Sequence, residues 1–207
     1  MKKRDAKLTK QKIITEAREL FSKKGFDATT VDDIAKSSGV NKALIYYYFK
    51  NKSGLYSEVM SNLFDTIYYE VTEAQKQSTS VEDELAVFIE TYAQYANRHI
   101  YFPALLLREL SDSGAHLPEV MFASMRKVFM LLSEILKKGE KEGVFRESIP
   151  MIIHFMIIGS INLMVTTDPL RKKAMQIDQE VDTCNGCSVD EISTYVFQTI
   201  KKSLEVA

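Results

Sequence analysis

Cysteine occurs only twice and proline four times in 207 residues, and no apolar run reaches the ~20 residues that a membrane-spanning helix requires. The longest, Met151 to Val165, is interrupted by His154, Ser160 and Asn162. The basic N-terminus MKKRDAKLTK has no apolar segment behind it, so no secretory signal is expected. With two cysteines and no such signal, the expected setting is a reducing cytoplasm. Strand-like alternation and internal repeats are missing as well, which leaves helices to build the fold. So are a nucleophile–base signature, a phosphate-binding glycine loop and paired catalytic carboxylates. His99, His116 and His154 share no metal-ligand spacing, and His154, set in an apolar stretch, is expected as a satisfied core polar group. The expectation is a chain that is not an enzyme and carries neither cofactor nor metal.

Overall charge is nearly balanced, but it is unevenly distributed. Residues 1–52 carry 13 Lys/Arg against 6 Asp/Glu, and the remainder carry 14 against 22. A basic head on an acidic body is the footprint of a nucleic-acid contact confined to one end. The first ten residues read equally as an arm that touches phosphate or as a solvated tail.

The stretch TTVDDIAKSSGVNKALIYYYFKNK, residues 29–52, reads as two short helices joined by a tight turn. Thr30 is a good N-cap and Asp33 stands three residues on, where a capping box wants an acid. Gly39 suits a left-handed terminus, and Asn41 can cap the second helix. At 100° per residue, Ile45 and Phe49 share one face of that helix, in register to pack on its partner with Val40. Ala43, Leu44 and Tyr47 point the other way, and Tyr46 and Tyr48 fall on the flanks. Three successive aromatics cannot all face one core, so at least one must be exposed. A helix small at its start, aromatic in the middle and edged with phenols suits the DNA major groove, with hydroxyls and Lys42, Lys50 and Lys52 near phosphate.

Residues 10 to 55 resemble the DNA-binding domain of the TetR family of bacterial transcriptional repressors. KIITEARELFSKKGFDATTVDDIAKSSGV carries the resemblance, followed by the recognition-helix signature NKALIYYYFKNKSGL. Beyond this first quarter, the helical pattern and GEKEGVFR look similar to the family. Position 44 departs from it, being Leu where the family often has Thr. The resemblance implies double-stranded operator DNA as a partner, contacted through Thr30, Lys42, Ala43, Leu44, Tyr46, Tyr47, Tyr48 and Lys52. It also implies a small-molecule effector site and a homodimer formed by the last two helices.

The remaining apolar stripes predict an all-α chain of about nine helices, a three-helix head over 1–52 and a six-helix body over 53–207. A first helix spans roughly Lys7 to Lys24 and stops at Gly25. A fourth runs from near Ser53 to near Gln77. Ser80 and Asp83 open a fifth that ends near His99, and Pro103 starts a short sixth. Pro118 begins a seventh that Gly143 closes, Pro150 an eighth, and a ninth covers about Val189 to Leu204.

The eighth helix, IIHFMIIGSINLMV, is apolar nearly all round and must be covered on two sides. A second subunit is the expected second cover, with Gly159 and Ser160 allowing close approach. Tyr68, Tyr92, Tyr95, Phe102, Leu106, Met121, Phe122, Met125, Phe129 and Met156 form a supply of aromatic and flexible side chains suited either to plain core or to a pocket for a small apolar or aromatic ligand. Cys184 and Cys187, in C-N-G-C, read first as two inert loop thiols, with a redox or shared zinc site as alternatives. A body that docks a protein partner is the other alternative.

Overall fold

The computed structural model describes residues 3–117, 119–177, 184 and 186–206. Among these there are ten helices and no strand: α1 (Lys3–Ala28), α2 (Val31–Ser38), α3 (Lys42–Phe49), α4 (Lys52–Gln75), α5 (Val81–Arg98), α6 (Tyr101–Ser111), α7 (Glu119–Lys141), α8 (Pro150–Thr166), α9 (Asp168–Ile177) and α10 (Val189–Leu204). The all-α expectation holds, with one helix more than foreseen. The expected start of the seventh helix at Pro118 lies outside the described residues. From Lys3 onward the basic N-terminus is the first part of α1. Gly25 breaks that helix with φ 83° and ψ 174°, as its sequence position predicts.

The chain divides into two compact units. The first comprises Met1–Asp65 with Ala104–Ser124. Its core is built from Ile13, Ala17 and Phe21 of α1, Ile34 of α2, Ile45 of α3, and Leu55, Tyr56 and Met60 of α4, all fully buried. Each of the Ile, Leu, Phe and Met side chains among them contributes about 1.5–3 kcal/mol by leaving water. The Tyr56 ring meets Phe21 and Phe26 edge-on at 4.8 and 5.0 Å between centroids.

The second unit comprises Thr66–Pro103 with Met125–Ala207. Here α5 packs on α8 and α10. Ser80 caps α5 by accepting from the Asp83 N–H at 3.1 Å, and Ser188 with Glu191 forms a capping box on α10. Gly139 of α7 is needed for close approach, since a Cβ there would stand 2.0 Å from the Phe145 ring. Among the described residues no single helix is long and apolar enough to cross a membrane; α8 and α9 pass that test only as a pair bent by 60°.

Candidate nucleic-acid interface

Local hydrogen bonds fix the helix pair that carries the candidate surface. The Asp33 N–H donates to Thr30 Oγ1 at 3.0 Å, and the Thr30 N–H donates to Asp33 Oδ2 at 3.3 Å. The Thr30 N–H first, and the Thr30 hydroxyl second, bond the Asp33 carboxyl and hold it below its usual range, the Lys24 ammonium adding a smaller share. Thr30 itself is exposed at the start of α2. Gly39 ends α2 in the left-handed region at φ 61°. Asn41 Oδ1 then accepts from the Ala43 N–H at 2.8 Å and starts α3.

On α3 the angular reading is realised. Ile45 and Phe49 are buried, whereas Tyr47 is 78% exposed. Tyr46 is exposed too, Leu44 and Tyr48 are half-buried, and Ala43 is open. The rings of Tyr47 and Tyr48 meet edge-on at 5.2 Å, which holds the outward phenol in place. Gly54, in the first turn of α4, lets that turn close against the end of α3, because a Cβ there would stand 2.2 Å from the Phe49 carbonyl oxygen.

The cations are not equivalent. Lys42 pairs with Asp32 at 2.7 Å, and that hydrogen bond raises the Lys42 ammonium above the usual lysine range. Lys50 is exposed and sits at φ 66° where α3 ends. Lys52 turns inward: Nζ donates to the Phe26 carbonyl at 2.9 Å and lies 4.2 Å from the Phe26 ring centroid. Its first role in this structure is to tie the end of α1 to the start of α4, within the first unit.

The ten side chains singled out in the body, aromatic residues, methionines and Leu106, do not form one group. Leu106 and Met121 are buried in the first unit, where Phe122 is exposed. In the second unit the Phe102 ring meets Tyr92 at 6.0 Å and Tyr95 at 5.3 Å, and the Tyr92 hydroxyl donates to Asn162 Oδ1 at 3.2 Å. Met125 is half-buried, Tyr68 lies 5.9 Å beneath the Lys127 ammonium, and Phe129 meets the His154 ring edge-on at 5.4 Å. Met156 stands apart, in a cleft between α8 and α10.

Two expectations are corrected. His154 is not a satisfied core group, since its Nδ1 is buried without a hydrogen-bond partner and burial lowers the ring to a pKa of about 4. Cys184 and Cys187 are not two free thiols but a disulfide, with their Cα atoms 5.4 Å apart. Among the described residues no three of His, Cys, Asp and Glu converge on a metal position.

Residues 13–59 match the family described as bacterial regulatory proteins, tetR family, and residues 82–181 match a tetracyclin repressor-like C-terminal domain. The chain is 31% identical over 163 residues to the probable HTH-type transcriptional regulator YttP of Bacillus subtilis strain 168, covering 78% of each protein. The chain belongs to the tetR family of bacterial regulatory proteins. IcaR, the negative transcriptional regulator of the biofilm operon icaADBC in Staphylococcus aureus strain Newman, is 41% identical over 80 residues, which is 39% of this chain and 43% of IcaR. Among solved structures, the fold is similar to that of FadR from Bacillus subtilis, crystallised with stearoyl-CoA, at a TM-score of 0.73 and 23% identity, over 94% of this chain and 99% of that one. HlyIIR, a hemolysin II transcriptional regulator, superposes with a TM-score of 0.67 at 23% identity, over 98% of this chain and 99% of that one.

For a tetR-family regulator the helix pair is the part that pattern reading finds readily. What it missed are the ties behind the pair. Tyr56 donates to the carboxylate of Glu109, a residue only 1% exposed, within the first unit. Burial first, and that hydrogen bond second, push the Tyr56 phenol far above its ordinary pKa. A lone Glu at the end of a leucine-rich helix gives no sequence signal of such a partner. Lys52 does carry one: it follows an Asn that accepts from the Gly54 N–H at 2.7 Å, an N-cap position that directs the lysine back along the head.

Proposed function

We propose that this chain is a homodimeric repressor that binds a palindromic operator through the outward face of α3 and is released by a small apolar or aromatic effector. One observation carries the DNA part: Tyr47 stands exposed in the middle of a helix whose opposite face is locked into the core by Ile45 and Phe49. In this reading Ala43, Leu44 and Tyr47 face the base edges. Thr30, Tyr46, Tyr48 and Lys42 lie along the phosphates with Lys50 beside them, while Lys52, expected there from the sequence, stands behind them with its ammonium on the Phe26 carbonyl. The place of action is the cytoplasm, where the operator is.

The dimer uses α8 and α10. Ile152, Phe155 and Leu163 of α8 and Tyr195 of α10 are exposed on this single chain, a large apolar face of the kind that a second copy covers. Gly159 meets nothing within 4 Å of its missing Cβ, so the face is open to close approach.

The effector site is centred on Tyr92, Tyr95 and Phe102 in the second unit, with the Tyr92–Asn162 pair as its polar contact and Met125 and Phe129 as adaptable neighbours. The acyl thioester bound by FadR supports an apolar effector, the likeness itself being one of fold. The test is ligand affinity, found by thermal shift against apolar, aromatic and acyl compounds and then measured with and without saturating operator DNA. Coupling of about 5- to 150-fold is expected, equal in both directions. Equal affinities with and without DNA would reject the switch.

A further inference from the structure

Neither DNA binding nor the effector site uses Cys184 and Cys187, yet the structure gives the pair a defined setting. The Cys187 N–H donates to the Cys184 carbonyl at 3.3 Å, a second link between the two disulfide-bonded residues. Cys184 is held at φ 50°, a left-handed conformation that a residue with a Cβ disfavours, and Gly186 follows at φ 87°. Cys187 directly precedes Ser188, the N-cap of α10. Both cysteines are half-buried, within reach of a small reagent. They line a cleft of about 680 Å³ between α8 and α10, together with Met156, Ser160, Met164 and Tyr195.

We propose that Cys184 and Cys187 form a reversible thiol–disulfide exchange site for low-molecular-weight thiols, and that its state sets the shape of the α8/α10 groove. A bond between residues three apart closes so short a loop that it removes little entropy from the unfolded chain, which leaves it weakly held against reduction. Disulfides within reach of solvent thiols are the labile, regulatory kind, and those of cytoplasmic proteins are mostly transient or redox-sensing. In the exchange, the thiolate of a small thiol attacks one cysteine sulfur, forming a mixed disulfide and releasing the other cysteine as a thiolate that takes up a proton. A second small thiolate then displaces the remaining cysteine. The small thiols end as their own disulfide, having given two electrons, and their two protons end on Cys184 and Cys187.

Reduction frees Cys184 from its left-handed conformation and relaxes the entry to α10, so the wall of the cleft changes. Insofar as α8 and α10 form the dimer, a clause that rests on the reading above, the dimer constant shifts too, by roughly 3- to 10-fold toward monomer as the groove loses preorganisation.

The chain has no tryptophan, so Tyr195→Trp places a single fluorescent reporter in the groove. This variant is equilibrated in mixtures of reduced and oxidised glutathione, trapped with iodoacetamide and weighed intact. The expected result is a rise from no cysteine adducts to two, with the emission moving at the same midpoint, and loss of the emission response when Cys184→Ser and Cys187→Ser are added. Two adducts at every ratio, none at any ratio, or an emission indifferent to the redox state would overturn the proposal. A chain that sediments as a monomer in both states, while adducts and emission still move together, supports the exchange site and rejects only the dimer reading.

Discussion

Helices α3 and α8 both leave large side chains in solvent, and they do so in opposite chemistry. On α3 the exposed residues are Tyr46 and Tyr47, each an apolar ring with a hydroxyl that hydrogen-bonds to water or phosphate. On α8 they are Met151, Ile152, Phe155, Met156 and Leu163, which offer water no such bond. A phenol-edged face remains stable while unoccupied and suits a wet, charged partner. A hydrocarbon face is costly to leave open and suits a partner of its own kind. The same degree of exposure therefore points to two different occupants, DNA for α3 and a second subunit for α8.

The largest expected effect breaks the α8 side of this comparison. Phe155→Glu puts a carboxylate into a face proposed to be dry, and should weaken the dimer by at least about 100-fold in sedimentation while the first unit keeps its fold. Tyr47→Ala breaks the α3 side. It should remove about 1–3 kcal/mol of discrimination between operator and random DNA, with the salt dependence of binding unchanged, as fluorescence anisotropy across a salt series would read.

A pair of lysine changes sharpens the distinction between surface and scaffold in the head. Lys52→Ala should cost about 1–2 kcal/mol of stability, measured by urea unfolding, because Nζ bonds the Phe26 carbonyl and covers its ring. Lys50→Ala should leave stability nearly unchanged and lower the salt slope of DNA binding by about one. If the two variants behaved alike, the inward role of Lys52 would be wrong.

Why α3 was legible and parts of α8 to α10 were not follows from the kind of interaction involved. Thr30, Asp33, Gly39 and Asn41 act on backbone groups one to four residues away, so their positions in the sequence state their function. The apolar stripes of α5 and α10 are visible for the same reason of period. Helix α9 escaped notice because it is short, follows α8 after a single residue and leaves its stripe of Leu170, Ala174 and Ile177 unburied. Its start was signalled by Asp168 followed by Pro169, with Arg171 and Lys172 three and four residues on, and both pair with Asp168. The Tyr56–Glu109 bond spans 53 positions, and the Tyr92–Asn162 bond 70. No local pattern encodes partners so distant. For the body residues, composition named suitable side chains but not their grouping, which is why Met156 was placed with Tyr92 although it lies in a different cleft.

The most gradual effect, spread over more than two pH units, concerns the His154 ring of α8. The His154 pKa, lowered to about 4 by burial, is below that of the unfolded chain, so the unfolded state takes up a proton first as pH falls. Stability is therefore complete above about pH 6.5 and is lost between there and pH 4, by up to about 1.4 kcal/mol per pH unit. In the variant His154→Gln this part of the pH dependence should vanish in thermal melts taken from pH 7 to pH 4.5.

The central claim, that two copies of α3 read DNA from a symmetric dimer, is tested most directly by selecting bound duplexes from a random pool and sequencing them. The account predicts enrichment of a rough palindrome whose half-site centres lie about one helical turn, or a small multiple of it, apart, and loss of that enrichment in the Tyr47→Ala variant. Recovery of a single asymmetric site, or an identical enriched motif from Tyr47→Ala, would contradict it.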